Sequence, residues 1–143
     1  MTRKVYYIIL FLFILCFKVQ SQNCPCFLFD ASTIDQSKEI KTNFHSLKQT
    51  QKIIHDTLAT DLFLVIKDFE TDQHLTGAQI FLGGSKINKV TDSAGHANFI
   101  AFGTGGNYQI LISYTNYHCL EIDNLGFKSG EGRWLEIKLK KAN

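Results

Sequence analysis

The feature that most constrains the fold is a series of short segments with alternating side chains, separated by turns rich in Asp, Asn and Gly. Residues 90–99 read Val-Thr-Asp-Ser-Ala-Gly-His-Ala-Asn-Phe, which indicates a four-residue turn between two strands. Residues 108–114, Tyr-Gln-Ile-Leu-Ile-Ser-Tyr, then follow a two-residue period. That period is typical of a strand with one face in a core, so the sequence predicts an all-β, antiparallel fold.

Seven short strands with turns at this spacing predict a Greek-key β-sandwich over residues 61–143. The first strand, residues 62–66, is an unbroken apolar run that we expect to be covered on both sides. The glycines of residues 103–106 lack the Gly-Lys-Ser/Thr ending of a phosphate-binding loop and predict a hairpin loop. Alternation predicts these core-facing side chains: Ala78, Ile80 and Leu82; Ala97, Phe99 and Ala101; Tyr108, Ile110, Ile112 and Tyr114; His118, Leu120 and Ile122; Leu135, Ile137 and Leu139.

Residues 22–60 form a separate N-terminal segment in this interpretation. Ile40, Phe44, Leu47, Ile54 and Leu58 recur near helical spacing, which predicts an amphipathic helix over about residues 37–58. The alternative is an extended, partly ordered linker with one strand, Phe-Leu-Phe, at residues 27–29. The 80 residues from 61 to 140 make a thin core, which packing from this segment or a disulfide would support.

Residues 1–21 have the organisation of a secretory signal peptide. Arg3 and Lys4 precede an apolar run of 13 residues, 5–17, and Val19 and Ser21 fit the small or aliphatic positions before a cleavage site. The run is shorter than the roughly 18 residues of a membrane span. We therefore expect cleavage after Ser21 and no stable membrane span in the mature protein, the alternative being an uncleaved anchor.

Two cysteines near this junction, Cys16 and Cys24, raise the alternative of a lipoprotein. Lipidation needs a small residue directly before the modified cysteine, whereas Leu15 and Asn23 occupy these positions. The sequence therefore favours an exported protein that is periplasmic, associated with the outer membrane or secreted.

The charge of the mature chain argues against nucleic acid as a partner. Removal of Arg3, Lys4 and Lys18 leaves 12 basic and 13 acidic residues, a net charge of −1 over 122 residues. A nucleic-acid-binding protein needs a basic surface that displaces counterions. The length suits a single domain after the leader and the N-terminal segment.

Three cysteines remain after cleavage: Cys24, Cys26 and Cys119. Pro25 extends the Cys24–Cys26 pair towards the upper limit of disulfide geometry. In an oxidising compartment we therefore expect one of these two to pair with Cys119, which parity places on the outer face of its strand. A redox or metal-binding dithiol at residues 24–26 is the alternative, although it lacks the helix N-terminus that lowers a thiol pKa in redox enzymes.

Three motifs follow one another in the strand region: Thr76-Gly77-Ala78, Thr91-Asp92-Ser93-Ala94-Gly95 and Ser113-Tyr114-Thr115-Asn116-Tyr117. Over about residues 62–140 their order resembles the carboxypeptidase regulatory-like domain, a transthyretin-like (prealbumin-like) β-sandwich of bacterial envelope proteins. The resemblance implies a non-catalytic accessory fold without a cofactor. Asn116 stands where the family usually has glycine, and asparagine also adopts left-handed turns. The family's domain normally accompanies a larger unit, such as a zinc peptidase or a receptor barrel.

A small transthyretin-like hydrolase is the catalytic alternative. That family uses histidine and arginine in a cleft and closes with a Tyr-Arg-Gly-Ser-type tail. Here residues 139–143 read Leu-Lys-Lys-Ala-Asn, and Arg133 is the single arginine after the leader. The sequence also lacks the paired His and Glu spacing of a zinc peptidase, so we predict no catalytic residue.

Metal binding is the second alternative. Alternating strand directions would gather one set of loop residues at one end of the sandwich: Asp68, Glu70, Asp72, His74, Asp92, His96, Asn116 and His118. Carboxylates there suit calcium and histidines suit zinc. Acids and asparagines also populate turns for their local hydrogen bonds. The sequence favours this second role, and hence no metal site.

Four aromatic residues fall by parity opposite the core or in a loop: Phe81, Phe102, Phe127 and Trp134. Either the N-terminal segment covers them, which we favour, or they form an exposed patch that contacts a partner. Without a predicted catalytic centre, the sequence indicates a binding or accessory module of the bacterial cell envelope. Its expected partner is an envelope protein or a glycan.

Overall fold

The computed structural model describes residues 26–33, 39–83 and 87–142, which form a sandwich of two five-stranded sheets. The predicted leader of residues 1–21 and Cys24 lie outside these ranges. Among the residues described, no helix is long and apolar enough to cross a membrane. The strands are β1 (Phe27–Asp30), β2 (Ile40–Lys41), β3 (His45–Ile54), β4 (Thr60–Asp68), β5 (Gln79–Leu82), β6 (Asn88–Val90), β7 (His96–Gly103), β8 (Gly106–Ser113), β9 (Leu120–Phe127) and β10 (Glu131–Leu139).

Both sheets are mixed, which corrects the predicted seven-stranded antiparallel arrangement. The first sheet has the order β1-β9-β8-β5-β6 and the second the order β2-β3-β10-β4-β7. β1 runs parallel to β9, and β10 runs parallel to β4 while pairing antiparallel to β3 on its other side. The prediction missed this because it assigned no long strand before Asp61, so β3, the antiparallel neighbour of β10 in the second sheet, was absent from it.

The predicted helix over residues 37–58 is wrong where the structure describes it, because His45–Ile54 form strand β3. Leu47 is buried, but Ile54 and Leu58 are 75 % and 70 % exposed. The inward positions next to Leu47 are the polar residues His45 and Gln49, both buried. Polar residues on the inward face hide a two-residue period from a hydropathy reading. The alternative strand at residues 27–29 is confirmed as β1.

The core lies between the sheets and contains most of the predicted inward residues. Side chains such as Ile80, Phe99, Ile110, Ile122 and Ile137 are at most 1 % exposed. Ala101 is an exception: it is exposed, in a left-handed conformation with φ of 51°, next to a register shift between β4 and β7. A bulge changes which face the following side chain points to, and the prediction of Ala101 as a core residue is therefore wrong.

The prediction of a hairpin loop for the Gly-rich connection between β7 and β8 is wrong, because these two strands belong to different sheets. Gly105 and Gly106 take φ of +106° and +121°, which lets the chain reverse and change sheet within two residues. The Asp92–Gly95 turn is confirmed: the Gly95 N–H donates to the Asp92 carbonyl at 2.9 Å, and Gly95 has φ of +72°. Asn116 adopts the left-handed conformation expected of it, with φ of 65°.

One lateral side of the sandwich, at the edge strands β1 and β2, is closed. The Phe27 ring of β1 stacks on Phe44 at 4.3 Å, and His118 contacts both rings at 5.3 and 4.9 Å between centroids. Next to this cluster Cys26 and Cys119 form a disulfide with a Cα–Cα distance of 4.6 Å, which confirms the expected tie of the N-terminal segment to β9. The other lateral side, at the edge strands β6 and β7, has no such closure among the described residues.

Candidate functional site

Two of the four singled-out aromatic residues come together at one end of the sandwich. Phe102 contacts Tyr108 and Phe127 edge-on, with ring centroids 4.9 and 5.3 Å apart. Phe127 is 6 % exposed and belongs to β9, so the prediction that it faces away from the core or lies in a loop is wrong. Phe102 is half-buried against the core. Of this pair only Phe102 presents surface to a partner.

Phe81 and Trp134 lie apart from that cluster. Phe81 is 37 % exposed on the outer face of the first sheet, where it stands in register with Leu111. Trp134 stacks on Phe63 at 4.1 Å, with strand β3 alongside in register at Gln51. The four side chains therefore do not form one continuous patch.

An apolar groove runs along the open side between β6 and β7. Its volume is about 180 Å³, and it is lined by Ile87, Lys89, Asn98, Phe99, Ile100 and Phe102. Ile100 is 69 % exposed and Ile87 is 38 % exposed. Large aliphatic side chains at this exposure next to a groove are typical of a contact surface rather than of scattered surface residues.

Strand β7 borders this groove and is the last strand of its sheet. It pairs with β4 on one side, and no described strand pairs with its outer edge. A free edge presents backbone N–H and C=O groups in the spacing that an added strand needs. The Asp61 carboxylate accepts a hydrogen bond from the Ala101 N–H at 2.7 Å and so stabilises the bulge at the end of this edge.

The acidic residues predicted to gather at a loop end serve turns and ion pairs. Asp68 accepts hydrogen bonds from the N–H groups of Glu70 and Thr71 and from the Tyr117 hydroxyl at 2.6 Å. Burial works against ionisation of Asp68, but these hydrogen bonds prevail and lower its pKa to about 2. Burial and the neighbouring carboxylate of Asp68 raise the pKa of Tyr117. The pair fixes the β4 turn against the segment before β9.

Asp72 forms ion pairs with lysines of two strands, and Asp92 serves its own turn. Asp72 forms ion pairs with Lys138 at 2.6 Å and Lys67 at 3.8 Å, and the hydrogen bond from Lys138 lowers its pKa. Asp92 accepts hydrogen bonds from the N–H groups of Ala94 and His96, both at 2.9 Å, and the bond from His96 is the main cause of its lowered pKa. The bonds of Asp92 are local hydrogen bonds of the kind that the sequence favoured for this residue.

The histidines of the same set are split between two places. His74 and His96 lie near each other, with ring centroids 6.2 Å apart, and His74 Nδ1 contacts the Ala94 carbonyl. His118 lies in the ring cluster with Phe27 and Phe44 instead. Within the described residues, no three His, Cys, Asp or Glu side chains are placed to hold one metal ion.

A buried histidine that the sequence did not single out lies beside the ring cluster. His45 is 3 % exposed, and neither of its ring nitrogens has a hydrogen-bond partner in the described part of the chain. Burial, followed by the charge of His118, lowers the pKa of His45 to about 4. The two-residue alternation of His45, Leu47 and Gln49 could have indicated this inward histidine. Two of these three inward residues are polar, so a hydropathy pattern does not show the alternation.

A buried charge network was also missed. The side chain of Glu131 is fully buried. It forms ion pairs with Arg133 Nε and, at 3.0 Å, with Lys52 Nζ. It also accepts a hydrogen bond from the Lys128 N–H at 2.9 Å. These donors outweigh burial and lower the pKa of Glu131. Arg133 stands in register with the core residue Leu62, so continuing the alternation of β10 back from Leu135 would have predicted an inward arginine.

No protein-family model and no curated protein matches the chain. It is similar to two solved complexes of type II cohesin with X-dockerin from Acetivibrio cellulolyticus. The C-terminal interface mutant has a TM-score of 0.45 and 23 % identity, covering 54 % of this chain and 51 % of that chain. The N-terminal interface mutant has a TM-score of 0.40 and 23 % identity, covering 52 % and 57 %. The chain thus spans about half the length of these neighbours.

The fold itself therefore defines the class of this protein: a disulfide-linked β-sandwich of two mixed sheets, closed along one lateral side and, among the residues described, open along the other. The carboxypeptidase regulatory-like resemblance rests on its three sequence motifs.

Proposed function

We propose that the protein is a non-catalytic binding module of the bacterial cell envelope, of the carboxypeptidase regulatory-like type, exported through the leader of residues 1–21. The Cys26–Cys119 disulfide supports an oxidising compartment. Within the described ranges, Asp68, Asp72 and Asp92 are engaged in turns and ion pairs, which favours binding over acid–base catalysis.

The open side between β6 and β7 carries the proposal. A free strand edge supplies backbone hydrogen bonds, and the adjoining groove supplies apolar contacts to Ile100 and Phe102. An extended segment of another protein uses these two features together when it adds a strand to a sheet. The partner we propose is therefore an extended, apolar segment of an envelope protein.

The remaining large surfaces fit such a segment less well. The side at β1 and β2 is filled by the stacked rings of Phe27 and Phe44. The outer face of the second sheet carries the ion pairs of Lys67 with Glu136 and of Lys138 with Asp72, at 2.8 and 2.6 Å. Charges that already pair with each other offer little to an apolar partner.

Site-specific photo-crosslinking in the native envelope tests the proposal. A photoreactive amino acid at Asn98, which lines the groove, should form an adduct in which mass spectrometry finds peptides of a second protein. The substitution Ile100→Asp should reduce that adduct roughly tenfold, because it places a charge in the apolar contact.

Ile54 provides the matched control, because it is 75 % exposed on β3, three strand positions away from β7. Ile54→Asp should leave the adduct at Asn98 unchanged. An adduct that survives Ile100→Asp, or one that forms equally from a photoreactive residue at position 54, would contradict the open side as the binding surface. An adduct that glycosidases shorten, and in which mass spectrometry finds peptides of this protein alone, would replace the protein partner with a glycan.

A further inference from the structure

A second concave site, which shares no lining residue with the groove, lies at the end of the sandwich where β10 begins. It has a volume of about 280 Å³ and is lined by Ala31, Ser32, Asn107, Asn124, Gly126 and Arg133. Four elements contribute: the 3-10 turn after β1, the start of β8, the end of β9 and the start of β10. A cleft of this size lies near the lower end of the range that small-molecule ligands occupy.

The charges beneath this cleft do not balance. Lys52 and Arg133 both pair with Glu131, so two cations face one carboxylate. The side chain of Arg133 is 13 % exposed, and that of Glu131 is fully buried. Positive charge held out of water is costly unless an anion accompanies it. The side chain of Lys52 is 24 % exposed and so partly solvated, and the largely buried Arg133 is the cation that an anion entering the cleft would meet.

The guanidinium of Arg133 is held with its terminal nitrogens available. Its Nε donates to Glu131, and its central carbon lies 5.1 Å above the centre of the Phe127 ring. Among the described residues, no hydrogen bond or ion pair uses the two terminal nitrogens of Arg133. A guanidinium fixed in this way binds a planar carboxylate through two parallel hydrogen bonds.

The carboxylate of Asp30 bonds to two residues that line the cleft. Its Oδ1 accepts the Ser32 N–H at 3.0 Å and the Asn124 amide at 3.3 Å. Asn124 takes φ of 55° at a register shift between β8 and β9, where the extra residue of a bulge redirects its side chain. Asp30 therefore orients the Asn124 amide at the cleft. Among the described residues, it forms no bond with the terminal nitrogens of Arg133.

Two side-chain amides and one hydroxyl line the rest of the cleft, and these groups both donate and accept hydrogen bonds. Gly126 makes room for one of them, since a Cβ there would come within 3.0 Å of the Asn107 side-chain oxygen. Amides and hydroxyls beside an arginine match a ligand that carries both a carboxylate and neighbouring hydroxyl groups. We propose that this cleft binds a sugar acid, with Arg133 holding the carboxylate and Asn107 and Asn124 the hydroxyls.

Titration of the exported protein by two-dimensional NMR, with glucuronate as the probe, tests this site. Glucuronate should shift the signals of Arg133 Nε–H and of the Asn107 and Asn124 amides in a saturable way. Glucose, which has the hydroxyls without the carboxylate, and acetate, which has the carboxylate without the hydroxyls, should each bind roughly tenfold more weakly or worse.

The variant Asn107→Asp separates the site from general electrostatics. It places a carboxylate at an exposed position of the cleft opposite Arg133 and should lower the affinity for glucuronate at least about tenfold. Asn88→Asp makes the same change on the exposed strand β6 and should leave the affinity unchanged.

Three results would overturn the proposal: glucose binding as tightly as glucuronate, equal losses in both variants, or inorganic sulfate binding as tightly as glucuronate. Failure here leaves the open side between β6 and β7 untouched, because the two sites share no lining residue.

Discussion

His45 and His118 share the side of the sandwich where the chain enters, beside the rings of Phe27 and Phe44. His45 is surrounded by rings and, in the described part of the chain, has no hydrogen-bond partner for either nitrogen. Only the neutral form of such a histidine is compatible with the packing. The closed side is therefore a place where pH acts on the fold.

We predict that acidification below about pH 6.5 destabilises the protein through His45. Its pKa is about 4 in the fold against an ordinary value of 6.5, so between these values the unfolded chain binds a proton that the folded chain does not. As the pH is lowered through this window, the free energy of unfolding therefore decreases, by up to roughly 3 kcal/mol. Urea unfolding between pH 4 and 7 measures the slope.

The substitution His45→Phe should flatten this slope because the new ring does not titrate. His96→Gln, at an exposed position of β7, serves as the control and should retain the full slope. A slope that persists unchanged in His45→Phe would mean that another group is responsible.

The sequence alone predicts the role of a residue when that role depends only on neighbours along the chain. Asn116 was expected to accept a left-handed conformation, and Asp92 was expected to serve its own turn; the structure shows both. The inward position of Arg133 follows from the alternation of β10, but the partners of Glu131 and Arg133 could not be read in the same way, because Lys52 and Phe127 come from other strands. A single sequence does not show such pairings.

At the scale of elements, the strands with apolar inward faces were predicted and β3 was not. Residues 135–139 of β10 alternate between buried aliphatic and half-buried polar side chains, so their period is visible in the sequence. In β3 the inward positions 45 and 49 are His and Gln, and the exposed position 54 is Ile. Partners across the sheet override local hydropathy there.

The bulge of β7 leads to a prediction at this scale. Ala101 has φ of 51°, a conformation that costs a residue with a Cβ about 1 kcal/mol or more relative to glycine. Ala101→Gly should therefore stabilise the protein by about 0.5–1 kcal/mol in chemical unfolding, net of the greater freedom of glycine in the unfolded chain.

Ala97 provides the matched control in the same strand, because it is buried and its φ is not positive. Ala97→Gly should destabilise the protein. Equal losses in both variants would show that the left-handed conformation of Ala101 stores no strain.

For the whole molecule, the two lateral sides of the sandwich have opposite characters. At β1 and β2 the stacked rings close the gap between the sheets and the disulfide ties β1 to its neighbour β9, whereas at β6 and β7 an apolar groove stays open among the described residues. The short edge strand β1 pairs with β9 over four residues, Phe27–Asp30, which is little to hold a strand in place by itself. Closure of this side therefore depends on the covalent bond next to it.

We predict that the double substitution Cys26→Ser and Cys119→Ser lowers the free energy of unfolding by about 2–4 kcal/mol, because the bond spans 93 residues of chain. The amides of β1 should also exchange with solvent far faster, since this edge then opens without global unfolding. Cys24→Ser is the control and should change neither quantity. Labelling of Cys119 by a thiol reagent in the untreated wild-type protein, or an equal loss of stability in Cys24→Ser, would instead assign the bond to a different cysteine pair.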